Sequence, residues 1–246
     1  NTLKKAISRW SHRHKSKTLR RWYRYTIERN EKVFEDHDEH RLMINVSRGP
    51  LGLYAPVFDG KLEPTVVIAD FPLKWTVASM AQLFDKGINA VIPSQRGIPA
   101  SLMDPKIKNR SRMFYLMANI EASQFEGDNN WALLLGLDGN ITEGTGDNFF
   151  IIKDGVVITP KGKDILRGIS RDYIISDICP QLDIPVIEKD IDPYDVYNAD
   201  EAFMTGTPFC LLPVTSLNSL AIGTGKVGPI FSSLVKQWSD NTGVDI

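Results

Sequence analysis

Two cysteines in 246 residues leave no disulfide framework, and Cys179 and Cys210 do not form a zinc-ligand pattern. They read as buried thiols of a reducing compartment. No apolar run approaches the length of a membrane span, and no signal peptide opens the chain, so neither a membrane partner nor secretion is expected. A formal net charge of −1 gives no bulk attraction to a polyanion, which argues against nucleic acid. Internal repeats and low-complexity tracts are absent as well. What remains is a 42% hydrophobic chain, enough for a sizeable core in one large domain or two small ones. The expectation is a cytoplasmic α/β protein.

Charge is uneven at the beginning. Residues 1–21 hold eight Lys or Arg and no acid, and residues 28–39 then hold six Asp or Glu. A basic arm with Trp10 and Trp22 could stack on nucleic-acid bases. The spacing favours two surface helices instead. Leu3, Ile7 and Trp10, then Leu19, Trp22, Tyr23 and Ile27, recur at helical intervals, and the acidic block cancels the field.

Further along, strands are expected at 41–48 and 64–72, a short helix at 76–86 and a third strand at 89–93. Strands alternating with helices of this length indicate an α/β or α+β layout. Residues 94–105, carrying Gly97, Pro99 and Pro105, form the best linker candidate. The reading is a small N-terminal domain at 1–95, a linker at 96–105 and a larger domain at 106–246. In that larger domain, 113–122 is rich in helix formers, 131–137 reads as an apolar strand, and 229–238 as an amphipathic helix. Short strands at 186–188 and 202–204 precede a polar turn at Thr205, Gly206 and Thr207.

Residues 143–171 organise the chain. Glu143 precedes a run of small residues, and Asn148, Phe149 and Phe150 open a strand. Lys153-Asp154-Gly155 has the composition of a tight hairpin turn, whose backbone needs positive φ. Residues 156–159 return. Gly168, Ile169 and Ser170 then lead into a helix running from Arg171 to Ile178. Free N–H groups and a hydroxyl at such a helix start suit a phosphate.

The ordered series Glu143, Thr145, Asn148-Phe149-Phe150, Val157, Thr159, Leu166, Gly168-Ile169 and Arg171 resembles the signature of the class IV (fold type IV) pyridoxal-phosphate-dependent aminotransferases. That family includes branched-chain aminotransferases, D-amino-acid aminotransferases and aminodeoxychorismate lyase. The resemblance implies the two-domain fold of that family and pyridoxal 5'-phosphate as cofactor. It places the Schiff-base lysine at Lys108, the pyridine-nitrogen ligand at Glu143, a first phosphate loop at Gly168, Ile169 and Ser170, and a second at Gly206 and Thr207. Asn148 joins them as a cofactor-binding residue. Lys106 competes for the lysine role, and the Ile-Lys step into the following helix favours Lys108. A carboxylate beside the pyridine nitrogen favours its protonated form, and the freed lysine acts as general base and then acid.

The implied reaction is transfer of an amino group between an amino acid, of branched-chain or D type, and a 2-keto acid, in a homodimer. A lyase of the aminodeoxychorismate type, or a family remnant serving as an interaction module, stands as the alternative. Three positions depart from the pattern. The upstream arginine that reaches the cofactor phosphate has no clear equivalent, which suggests a small domain lacking its usual N-terminal segment. Met113 stands where branched-chain members have tyrosine, with Tyr115 two residues on. The second phosphate turn reads Gly206-Thr207-Pro208-Phe209, and proline has no N–H. Recognition of the substrate carboxylate must therefore differ here.

Overall fold

The computed structural model describes residues 16–36 and 38–246. Leu3, Ile7 and Trp10, and the helix expected on them, lie outside the described residues. The chain divides into two compact units, residues 1–79 and 80–246. Among the described residues no helix is long and apolar enough to cross a membrane.

The first unit opens with α1 (Ser16–Asn30). Its faces separate as the spacing predicts: Leu19, Trp22, Tyr23 and Ile27 are half-buried, whereas Arg20, Arg21, Arg24 and Glu28 are exposed. Strands β1 (His40–Ser47) and β2 (Thr65–Pro72) form an antiparallel pair in unbroken register from His40↔Pro72 to Ser47↔Thr65. The chain leaves β1 through Gly49 at φ +84°, where a Cβ would collide with the carbonyl of Glu63, so only glycine fits. His40 ties this unit together, its Nδ1 2.9 Å from buried Asp70 and its Nε2 3.0 Å from Glu31. Helix α2 (Lys74–Lys86) carries the chain across the division.

The second unit is built on nine strands. In chain order they are β3 (Ile88–Val91), β4 (Asn130–Leu135), β5 (Ile141–Gly144), β6 (Asn148–Lys153), β7 (Val156–Thr159), β8 (Val186–Glu188), β9 (Glu201–Gly206), β10 (Cys210–Leu217) and β11 (Leu220–Ala221). Strand β3 is hydrogen-bonded to β4 on one side and to β10 on the other, both parallel. From β4 the ladder runs through β5 to β6, then through β9 back to β10. Six strands thereby close a ring, which removes their free edges.

Alternation along these strands sorts side chains to two faces. Phe149 and Ile151 of β6, Ala202 and Met204 of β9, and Leu212 and Val214 of β10 fill one apolar cluster. Phe150 and Ile152, Phe203 and Leu211 point the other way into a second. There Phe150 and Phe203 stack with ring centroids 4.6 Å apart. Two helices cover that face: α4 (169–181), through Ile174 and Ile178, and α6 (Pro229–Thr242), through Phe231, Leu234 and Trp238. Full burial of side chains of this size contributes roughly 1.5–3 kcal/mol each. Helix α3 (Met113–Ala122) covers a third cluster with Ala118 and Ala122 against Ala132 and Leu134 of β4. Short α5 (Pro193–Tyr197) is set by a capping box between Asp192 and Asp195.

Candidate functional site

The hairpin that follows the polar turn fixes the geometry. Asp154 and Gly155 take φ of 50° and 77°, so β7 returns directly alongside β6. At the other end of β6, Asn148 pairs with Glu143 of β5 and, on its opposite side, with Thr205 of β9. Three polar side chains thus stand in register across three adjacent strands. All three are buried.

They border a cavity of about 330 Å³, at the lower end of the usual range for small-molecule sites. Its wall contains every residue singled out by the sequence: Lys108, Glu143, Asn148, Gly168, Ile169 and Ser170. Gly206 and Thr207 complete the set. Lys108 is the single lysine of that wall among the described residues. Lys106 is not in it; its Nζ lies 2.9 Å from Asp104 Oδ1 and donates to the carbonyl of Lys163 at 3.4 Å. The two candidate lysines therefore part company: one is tied up in an ion pair, the other is presented to the cavity.

Partial desolvation, reinforced by the guanidinium groups of Arg112 and Arg110, lowers the Lys108 pKa from its ordinary value, and Glu143 opposes this. A lysine in that setting yields the neutral amine more readily.

Glu143 is held at Oε2, which accepts from the Leu166 N–H at 2.9 Å and from Asn148 Nδ2 at 3.3 Å. Asn148 Nδ2 also donates to the Leu166 carbonyl at 2.8 Å. Both bonds to the carboxylate fall on one oxygen, leaving Oε1 available to a ligand. Burial pushes the Glu143 pKa up to about 7, and the neighbouring Asp147 carboxylate adds to the rise. Leu166, Arg112 and Lys108 pull the other way.

Helix α4 begins at Ile169, with Gly168 in extended conformation as its N-cap (φ −67°, ψ 144°). The first N–H groups of a helix have no partner within it, and here the helix start borders the cavity. Arg171 locks this first turn in place: its Nη2 donates to the Pro160 carbonyl at 2.9 Å and reaches Glu188 Oε2 at 2.6 Å. A π-helical stretch, Ile174–Ile178, follows inside α4.

Among the further residues of the wall that the sequence does not single out are Asp147, Thr205, Arg112 and Tyr115. Asp147 Oδ1 and Thr205 Oγ1 are buried without a hydrogen-bond partner. Such atoms each cost roughly 1–3 kcal/mol until something satisfies them. Burial pushes the Asp147 pKa up to about 7. Arg112 donates to the Thr145 carbonyl at 2.6 Å and lies over the Tyr115 ring at 5.1 Å. Thr145 in turn donates from Oγ1 to Asn119 Oδ1 at 3.2 Å, which fastens the β5–β6 turn to α3. The hints were faint. Asp147 precedes Asn148 and Thr205 precedes Gly206, each at the strand end that carries a predicted ligand.

Residues 3–217 match the family model described as amino-transferase class IV. The chain belongs to the class IV aminotransferases. A Methanocaldococcus jannaschii protein, which carries the provisional name branched-chain-amino-acid aminotransferase, is 34% identical over 201 residues, covering 81% of this chain and 66% of that protein. The Escherichia coli (strain K12) branched-chain-amino-acid aminotransferase is 34% identical over 167 residues, 67% of this chain and 52% of that enzyme. The chain thus spans between about half and two thirds of these relatives.

Among solved structures, the PLP form of the Thermobaculum terrenum branched-chain amino acid aminotransferase superposes with a TM-score of 0.72. Its identity is 26%, over 89% of this chain and 69% of that one. The crystal structure of the Escherichia coli branched-chain amino acid aminotransferase gives a TM-score of 0.67 at 27% identity, over 85% and 66%. At these identities the likeness bears on family as well as fold, and the mixed α/β architecture is that of class IV aminotransferases.

Proposed function

We propose that this chain is a pyridoxal-phosphate-dependent aminotransferase that moves an amino group between an amino acid and a 2-keto acid, with Lys108 as the reacting amine. The observation that carries this reading is the convergence of Lys108, Glu143, Asn148, the Gly168–Ser170 turn and the Gly206–Thr207 turn on one cavity. The names of the relatives support a branched-chain amino acid as substrate, and the family resemblance supports a homodimer. The functional division, with a linker at 96–105 and a cofactor-binding domain from 106 onward, keeps the reacting residues together. The linker adds Gly97, Ile98 and Met103 to the wall.

The residues present fit the cofactor. Glu143 Oε1 is unengaged, Thr205 Oγ1 is an orphan, and the start of α4 offers N–H groups. Lys108 would hold the aldehyde carbon. Glu143 would hold the pyridine nitrogen, and Gly168, Ile169, Ser170, Gly206 and Thr207 would surround the phosphate, with Thr205 beside them. Bound there, pyridoxal phosphate supplies an electron sink for charge developing at the substrate α-carbon.

The chain's own part is acid–base work and orientation. The lowered pKa of Lys108 favours its neutral form, which would take the α-proton onto Nζ as general base and give it up again as general acid. Glu143 would stand beside the ring nitrogen and favour its protonated form, and the Leu166 N–H and Asn148 amide hold that carboxylate in place. The Arg171–Glu188 pair keeps the phosphate turn from shifting as it binds.

The test is an absorbance spectrum with added pyridoxal phosphate, then borohydride reduction and peptide mapping. A long-wavelength band fixed by reduction onto Lys108 supports the reading. Label on Lys106, or scattered over surface lysines, sinks it.

A further inference from the structure

We infer that Arg112 is the receptor for the carboxylate of the amino-acid substrate, replacing backbone donors that the second phosphate turn cannot supply. The inference rests on the aminotransferase reading and deepens it.

The turn after β9 is Thr207-Pro208-Phe209. Pro208 has no N–H, and the Phe209 N–H closes the turn onto the Gly206 carbonyl at 3.3 Å. Thr207 alone among the three keeps a backbone donor for a ligand, and the cofactor phosphate would take it. A carboxylate arriving beside this turn finds no further backbone donor there.

Arg112 has donors in excess. Its side chain makes a single hydrogen bond among the described residues, from Nη1 to the Thr145 carbonyl, and it makes no ion pair. A guanidinium carries five N–H groups in a planar fork matched to a carboxylate, so most of that fork is unused. The stacking of Arg112 on Tyr115 holds it in place.

Position selects Arg112 over the other arginine of the wall. The substrate carboxylate is bonded to the carbon whose proton Lys108 removes, so its receptor must lie close to Lys108. Arg112 follows Lys108 by four residues in the same cavity wall and its charge lowers the Lys108 pKa, whereas Arg167 uses its Nε on the Gly162 carbonyl at 3.0 Å. Glu143 and Asp147 are buried in the same wall, and neither forms an ion pair with Arg112 among the described residues. A carboxylate supplies the missing countercharge.

The test uses an aliphatic carboxylate, 4-methylvalerate, which has no amine to react, and its neutral twin 4-methylvaleramide. Each is titrated calorimetrically into wild type, Arg112→Gln and Arg112→Lys, with and without pyridoxal phosphate. Losing a charge-assisted, two-pronged contact should weaken 4-methylvalerate roughly 10–100-fold in Arg112→Gln. Arg112→Lys, which keeps charge without the fork, should lose less, and the amide should bind all three equally. Unchanged carboxylate affinity in Arg112→Gln overturns the assignment. So does a wild type that binds the amide as tightly as the acid, which decides the matter even if the glutamine variant fails to fold. A wild type that takes up no pyridoxal phosphate overturns the functional reading instead.

Discussion

Asn148 stands opposite Glu143 in the β5–β6 ladder and donates from Nδ2 to Glu143 Oε2 at 3.3 Å. The same amide nitrogen bonds the Leu166 carbonyl, and the Leu166 N–H returns a bond to the same carboxylate oxygen. This small circuit links a strand pair to a loop 18 residues further along the chain. It occupies Oε2 and leaves Oε1 without a hydrogen-bond partner among the described residues.

Glu143→Gln keeps the shape of that circuit and removes the charge. The expected result is a protein that still takes up pyridoxal phosphate but turns over on the order of 10²–10³-fold more slowly. Single-turnover kinetics with an amino-acid donor measures it, and a variant as fast as wild type would remove Glu143 from the chemistry.

The two buried carboxyls predict a pH signature. Both Glu143 and Asp147 have folded-state pKa values raised to about 7, above the values of an unfolded chain. The folded state therefore binds more protons between about pH 4 and 7, and their stabilising contribution, complete below that window, is lost as pH rises through 7. Cofactor-free wild type should lose stability across this range in denaturant titrations. Asp147→Asn removes one of the two titrations and one cause of the Glu143 shift, so its slope should be shallower.

Thr205 offers a separation of stability from binding. Replacing its orphaned hydroxyl in Thr205→Val should stabilise the cofactor-free protein by about 1 kcal/mol. The same change should weaken pyridoxal phosphate binding several-fold. A hydroxyl with only a structural role would move both quantities in the same direction.

Gly144 has no room for a side chain, because a Cβ there would run into Asp147 Oδ1. Gly144→Ala should cost roughly 1–3 kcal/mol, and adding Asp147→Ala should recover part of that loss. Thermal melts of the two single variants and the double variant would expose the coupling.

Much of this was legible in the sequence because it is local. Helix 113–122 is expected at the bounds that α3 occupies, the Asp154-Gly155 turn follows from residues that tolerate positive φ, and the unbroken apolar run 149–152 fits a strand buried on both faces. That Glu143, Asn148 and Gly168–Ser170 share one wall is legible because they sit at strand and helix ends within a single ordered stretch, 143–171. Strand β10 was missed: Pro213 interrupts it, and proline within a run argues against a central strand. Helix α5 was missed too, although Asp192, Pro193 and Asp195 spell a helix start in sequence. Arg112 and Thr205 reach the cavity through pairings between distant segments, which a one-dimensional pattern does not encode.

The closed ring of strands has a consequence for how the protein is made. Its seam joins Ile88 to Val214 and Ala90 to Leu217, partners separated by more than 120 residues. Closing so long a loop precedes the gain from the contacts it brings, which slows folding. On the ribosome, β3 must wait for nearly the whole chain to emerge before the seam can form. The cofactor therefore meets a finished cradle only after synthesis has passed residue 217. Supply of pyridoxal phosphate during growth should thus govern how much released chain becomes loaded, with little effect on the chain while it is being made.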